Sequence, residues 1–290
     1  MPIRSLAMTC TYVARVYTQL AKTACLIGVF ALAGCAASHA IDAAIVRAWE
    51  RSESMPLATR IDETLTIERA YSIQKKVVQS MLGDRTPVGF KAGFTSSAAQ
   101  SRFGADEPVA GVLLTAAHQT PPVLQLSALR GLHLETEVAM RVGKRIDSRL
   151  TSTATLIAHI DGIAPAIELP NLDYADPQHL SALDIIATNV AAAYFRTGTF
   201  LSPRERDPND VTVRLTCDGE EVNVGSGRDA MGDQWQAALW LVNTIIDMGW
   251  TIEPGQVLLT GALGNMVKAR AAHCVASFAN WGELSVTIEP

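Results

Sequence analysis

The chain has 290 residues, 48% of them hydrophobic and 18% charged, enough apolar side chains to bury a large core and too few charges for a disordered polymer. A net charge of −5, with no basic run and no interleaving of basic and aromatic residues, excludes the electrostatic footprint of a nucleic-acid binder. The five cysteines follow no metal-ligand spacing.

Residues 1–34 read as a signal peptide. Arg4, Arg15 and Lys22 precede the apolar run TACLIGVFALAGC, which is too short to span a bilayer as a helix. Its end, LAGC, resembles the bacterial lipobox and makes Cys35 the expected lipidated N-terminus. Ala36 stands where an aspartate would retain the protein at the inner membrane. The expected location is therefore the cell envelope, as a periplasmic lipoprotein on the outer membrane that meets lipid only through its anchor; a start site placed too early would make the protein cytoplasmic instead. Cys10 and Cys25 leave with the leader. Cys217 and Cys274 stay, both in strand-like segments, VTVRLTCDG and HCVASFANWG, where they can pair or remain free buried thiols.

Residues 35–85 are expected to be mainly helical. Ile67, Ala70, Tyr71, Val78 and Met81 fall on one stripe, and Gly83 is placed to close that helix in a left-handed cap. From Val88 the texture changes to short apolar stretches punctuated by glycine and proline, so residues 86–290 read as strands and turns forming the remaining domain. One long helix interrupts them, DQWQAALWLVNTIIDMGW, with Ala237, Leu241, Thr244 and Ile245 at core spacing. The run GSGRDAMG contains G-x-G but lacks the spacing of a dinucleotide fingerprint.

Within GLHLETEVAMRVG, alternation puts Leu134, Thr136, Val138 and Met140 on one face of a strand and Glu135 and Glu137 together on the other. Two carboxylates so held repel unless water, a proton or a cation relieves them. A second apolar segment, DGIAPAIELP, carries Glu168 between Ile167 and Leu169. Three carboxylates without histidine or cysteine suit a hard divalent cation, Mg²⁺ or Mn²⁺, and disfavour zinc. Upstream, Lys91 stands among small residues in VGFKAGFTS. It is a snorkelling side chain on its own, and an acid/base or oxyanion partner if it lies near such a metal.

The segments LTIERAYSIQ, VGFKAGFTS, FGADEPVAGVLL, HLETEVAMRVG, APAIELP, LDIIATNVAAAYFRTG and GQVLLTGALG resemble, in order and spacing, the 2-oxopent-4-enoate hydratase / 4-oxalocrotonate decarboxylase family of the fumarylacetoacetate hydrolase superfamily. The resemblance runs from about Leu65 to the C-terminus. It implies an α+β fold, a mixed β-roll of the fumarylacetoacetate hydrolase C-terminal type with a helical N-terminal region. It also implies Mg²⁺ or Mn²⁺ on Glu135, Glu137 and Glu168, with Lys91 as the active-site lysine of the family's G-[YF]-K-x-G motif. Asn189 is a substrate or supporting hydrogen-bonder on this basis, and Thr95, Ser96, Thr260 and Gly261 lie in family-like loops beside the substrate carboxylate. The expected partner is a small 2-oxo acid, and the expected state a homo-oligomer.

Three positions depart from the family pattern. LPNLDY replaces the Asp-Ser-Arg that many members carry after the third ligand, Val109 replaces an acidic residue after the proline, and Gly232, Asp233 and Gln234 replace G-H-P. The reaction the resemblance implies is hydration of a small 2-hydroxy-2,4-dienoate, and these departures leave alternatives open. The alternatives are decarboxylation of a 2-oxo acid, carbon-carbon bond hydrolysis with His133 as a water-activating base, or ligand binding without turnover by an envelope lipoprotein.

Overall fold

The computed structural model describes residues 40–115 and 120–290. Three helices come first: α1 over 40–50, α2 (Ala58–Ile61) and α3 (Ile67–Leu82). Thr66 starts α3 by accepting the Arg69 amide, and Gly83 ends it by donating its own N–H to the Gln79 carbonyl. At φ +57° and ψ −126° Gly83 has the positive φ that glycine supplies but lies outside the left-handed helical region expected of the cap. The buried face of α3 keeps Ala70 and Val78 of the expected stripe, with Tyr71 and Met81 packed against the core, and widens beyond it. Ile73, Gln74 and Val77 are buried, while Ile67 is 41% exposed. Gln74 lies within that stripe and is buried because its Nε2 donates to the carbonyls of Ala110 and Ile186. Two buried backbone acceptors outbid an apolar side chain for that position.

The strands are β1 (Gly89–Gly93), β2 (Val109–Leu113), β3 (Val123–Gln125), β4 (His133–Val142), β5 (Ile160–Leu169), β6 (Tyr194–Thr197), β7 (Thr212–Cys217), β8 (Glu220–Ser226), β9 (Val257–Ala262), β10 (Val267–Lys268), β11 (Ala272–Phe278) and β12 (Gly282–Glu289). One mixed sheet runs β2-β1-β9-β4-β5-β6, with β10 paired to β4; the second runs β3-β12-β11-β7-β8. Helices α4 (Ser97–Phe103), α5 (Thr153–Ile157), α6 (Ala182–Ala187) and α7 (Gln234–Asp247) pack around them. A continuous apolar core joins both sheets to α7 through Phe90, Met140, Ile167, Leu215, Leu241 and Val286.

The long late helix forms as its spacing predicts, with Ala237, Leu241 and Ile245 buried and Thr244 half-buried. Asp233, at the departure from G-H-P, caps it by accepting the amides of Trp235 and Gln236. Cys217 and Cys274, left open between pair and free thiols, face each other across β7 and β11 and are joined as a disulfide.

Candidate active site

The antiparallel register of β4 and β5 sets Glu135 directly opposite Glu168 and Glu137 opposite Ala166. Residues paired across a ladder point to the same side, and so do residues two apart on one strand. Pleat and register together therefore gather all three carboxylates, each offering an oxygen within 4.8 Å of the others. Glu137 and Glu168 are fully buried and Glu135 is half-buried.

Such a cluster is costly unless something meets its charge. The protein supplies part of what is needed: Gly261 donates its N–H to Glu137 Oε2 at 2.8 Å, and the Lys91 ammonium contacts Glu168 Oε1. Glu137 Oε1 and Glu168 Oε2 keep no hydrogen-bond partner. Burial, followed by the charge of Glu168, pushes Glu135 up to about 8 and Glu137 well above the ordinary carboxylate range. Unspent buried oxygens on three converging carboxylates are the donor set that a hard divalent cation takes.

Lys91 enters from β1, which lies between β2 and β9. Its neighbour across the ladder is Gly111, where an added Cβ would fall 3.2 Å from Lys91 Cγ and 3.2 Å from the Asn189 carbonyl oxygen, so glycine leaves room for the lysine stem. Lys91 is 2% exposed, and its Nζ donates to the Val190 carbonyl at 3.3 Å. Burial works to lower its pKa, but the carboxylates of Glu168, Glu135 and Glu137 outweigh burial and raise it above the ordinary lysine value.

The Val190 carbonyl sits in an unusual turn. Asn189, Val190 and Ala191 have φ of 62°, 53° and 54°, a conformation unfavourable for a β-branched residue. The Asn189 side chain pins this turn. Its Oδ1 accepts the Val112 N–H and its Nδ2 donates to the Val112 carbonyl, both at 2.8 Å.

Above the carboxylates opens a cavity of about 200 Å³, whose polar lining includes Lys91, Glu135, Thr95 and Ser96. Phe94 and Phe103, with rings stacked at 4.9 Å, and Leu172, Ile185, Val190 and Met266 make its walls apolar. Of the loop residues expected beside the substrate, Thr95 and Ser96 line this space, and Ser96 also caps α4 through the Ala99 amide. Thr260 does not: its buried hydroxyl is bonded to the Val138 carbonyl and to Gln234 Oε1. Asn189 likewise spends its amide on Val112. Gly261 serves as a close-packing point at φ +114°, where a Cβ would fall 2.3 Å from Thr95 Oγ1. His133 bonds Gly131 through Nδ1 at 2.8 Å and does not line the cavity, so it is not placed to activate water there. Burial holds its pKa below the ordinary value, aided by the charges of Arg102 and Lys268. Val109 is buried in β2 beside Gly93. Sequence reasoning missed Arg102, the Phe94–Phe103 wall and the Val190 carbonyl. The only signal for them was the Ser96 cap that starts α4.

The chain matches the family described as fumarylacetoacetate (FAA) hydrolase C-terminal over residues 76–289. It is 30% identical over 209 residues to a 2-keto-4-pentenoate hydratase of Paraburkholderia xenovorans, covering 71% of this chain and 77% of that protein. It is 28% identical over 229 residues to a 4-oxalocrotonate decarboxylase of a Pseudomonas species, covering 77% and 88% respectively. The solved 4-oxalocrotonate decarboxylase from Pseudomonas putida G7, complexed with magnesium and adipate, shares the fold with a TM-score of 0.77 at 22% identity, over 88% of this chain and 97% of that one. These relatives correct the expected envelope location, since they are a hydratase and a decarboxylase and not envelope lipoproteins. They likewise replace the reading of a binder without turnover, because they are enzymes. The leader over 1–34 and Cys35 lie outside the described residues, and among the described residues no helix is long and apolar enough to cross a membrane.

Proposed function

Because the chain belongs to the fumarylacetoacetate hydrolase family, we propose that it is a divalent-metal-dependent lyase that hydrates a small 2-hydroxy-2,4-dienoate or the corresponding 2-oxo acid. The observation that carries this is the set of buried carboxylate oxygens without partners beside Lys91, below a small and largely apolar cavity. Glu135, Glu137 and Glu168 would hold the cation, Mg²⁺ or Mn²⁺. When bound, such a cation supplies Lewis-acid stabilisation of the negative charge that develops on the 2-oxygen of a 2-oxo acid.

The rest of the chemistry falls to the chain's own groups. Hydration adds a proton to one carbon and hydroxide to another, and Lys91 Nζ is the group placed to hand over that proton or steady the charge next to it. The three carboxylates around it favour its ammonium form, which suits it to hand over a proton or to steady negative charge. The Val190 carbonyl and Glu168 fix where its N–H groups point. The walls formed by Phe94, Phe103, Leu172 and Ile185 give the carbon chain of the substrate an apolar surface. Thr95 and Ser96 stand where the substrate carboxylate would lie. The same groups would serve decarboxylation of a vinylogous 2-oxo acid, a second reading supported by the 4-oxalocrotonate decarboxylase relative.

The test is turnover of a panel of 2-hydroxydienoates and 2-oxo-enoates with Mg²⁺ or Mn²⁺, by wild type and Lys91→Met. The variant keeps the aliphatic stem and deletes the ammonium. Wild type should consume at least one dienoate only when metal is present, and Lys91→Met should lower kcat by about 100-fold, the usual scale for a general acid. Equal turnover by the two proteins would remove Lys91 from the mechanism, and no turnover of any member would remove the lyase assignment.

A further inference from the structure

The cavity carries charge at two places. Its floor holds the three carboxylates with Lys91; farther out, Arg102 reaches it from the last turn of α4. Lys91 and Arg102 are the two cations among the described residues that line it. Lys91 is committed to Glu168 and the Val190 carbonyl. Arg102 is exposed, and among the described residues no carboxylate pairs with it. Its contact is with an aromatic face: the guanidinium carbon lies 5.1 Å from the Phe103 ring centroid, and that ring stacks on Phe94 in the same wall. Gln100, two residues back on the same helix, donates Nε2 to the Phe94 carbonyl at 2.9 Å, which ties α4 to the loop that holds this wall.

A planar guanidinium resting on an aromatic ring is held at little entropic cost, with its N–H fork free for a carboxylate. Between the floor and Arg102 the walls are apolar, through Leu172, Ile185, Val190 and Met266. At about 200 Å³ the space takes a short carbon chain and little more. A ligand matching this layout has an oxo-acid head, a short apolar middle and an anionic tail. We propose that Arg102 is a specificity residue that binds a second, terminal carboxylate, so that the site selects a dicarboxylic 2-oxo or 2-hydroxydienoic acid over its monocarboxylic analogue. This rests on the reading in which the three glutamates and Lys91 take the oxo-acid head.

The test compares 2-oxoadipate with 2-oxohexanoate, six-carbon 2-oxo acids with and without the terminal carboxylate. Binding to the full chain is measured by calorimetry with saturating Mg²⁺, for wild type, Arg102→Leu and Arg102→Lys. Wild type should bind 2-oxoadipate at least about tenfold more tightly, the scale of one charge-assisted carboxylate contact. Arg102→Leu should erase that preference while leaving 2-oxohexanoate unchanged, and Arg102→Lys should keep part of it. Equal affinity of wild type for the two acids, or equal weakening of both by Arg102→Leu, would overturn the assignment while leaving the oxo-acid site standing. If neither acid bound to wild type in a metal-dependent way, the oxo-acid reading itself would fall, and the role of Arg102 with it.

Discussion

Replacing Asn189 with alanine tests the part of the site that shapes it from behind. The Asn189 amide satisfies both the N–H and the carbonyl of Val112, and Asn189 is 3% exposed, so water does not readily take its place. Each orphaned buried group costs about 1–3 kcal/mol. Alanine must also hold φ near 62°, where asparagine is tolerated and alanine pays roughly 1 kcal/mol or more. The expected loss is about 3–6 kcal/mol. At roughly 2–4 °C per kcal/mol for a domain of this size, that lowers Tm by about 10 °C. Thermal and urea denaturation followed by circular dichroism read the stability term. Activity at a temperature where the variant is folded reads the second effect, a fall in kcat as the Val190 carbonyl loses its hold on Lys91. Asn189→Asp is the companion variant: it keeps the acceptor for the Val112 N–H but sets a carboxylate against the Val112 carbonyl, and should be as damaging. A Tm within about 2 °C of wild type for Asn189→Ala would refute the role given to this turn.

The raised carboxylates make stability depend on pH in a defined direction. Between the ordinary glutamate value of 4.5 and about 8 the folded protein holds a proton on Glu135 that the unfolded chain has released, and Glu137 is shifted in the same direction. Stability of the cation-free protein should therefore fall as pH rises through that window, read as a lower urea midpoint at pH 8 than at pH 5 that added Mg²⁺ reverses; a midpoint rising with pH would contradict the cluster. Gly261→Ala puts a methyl 2.3 Å from Thr95 Oγ1 at φ +114° and disturbs the amide that Glu137 accepts, so it should cost about 2–4 kcal/mol and weaken cation binding, and an unchanged Tm would show that the close approach is relaxed in solution. On α3, Ile73→Ala should cost about 2–5 kcal/mol and Ile67→Ala close to nothing; the reverse order in urea denaturation would restore the stripe expected from periodicity.

How far the sequence reaches is seen by comparing residues. The positions of Glu135, Glu137 and Glu168 follow from alternation within apolar strands, because a charge in such a segment is conspicuous and its direction is set by a period of two. Lys91 stood out for the same reason. On α3 periodicity picks out Ala70 and Val78 but not Gln74, which takes a core position to serve two backbone carbonyls contributed by β2 and α6. Those acceptors are 36 and 112 residues away in sequence and leave no local trace. Thr260, expected beside the substrate, bonds the Val138 carbonyl and Gln234 instead, and Asn189, expected as a substrate or supporting hydrogen-bonder, spends its amide on the Val112 backbone. Arg102 was passed over because an arginine in the last turn of a short helix looks like any solvated charge until the wall beside it is seen.

The account turns on whether the three carboxylates hold a divalent cation. The direct measurement is calorimetric titration of Mg²⁺ and Mn²⁺ into wild type and Glu168→Gln at pH 8, where fewer protons compete for the carboxylates than at lower pH. The account predicts one site per chain in wild type and a loss of more than tenfold in affinity, above about 1.4 kcal/mol, in Glu168→Gln, with the fold retained. Absence of binding by wild type, or undiminished binding by Glu168→Gln, would contradict it.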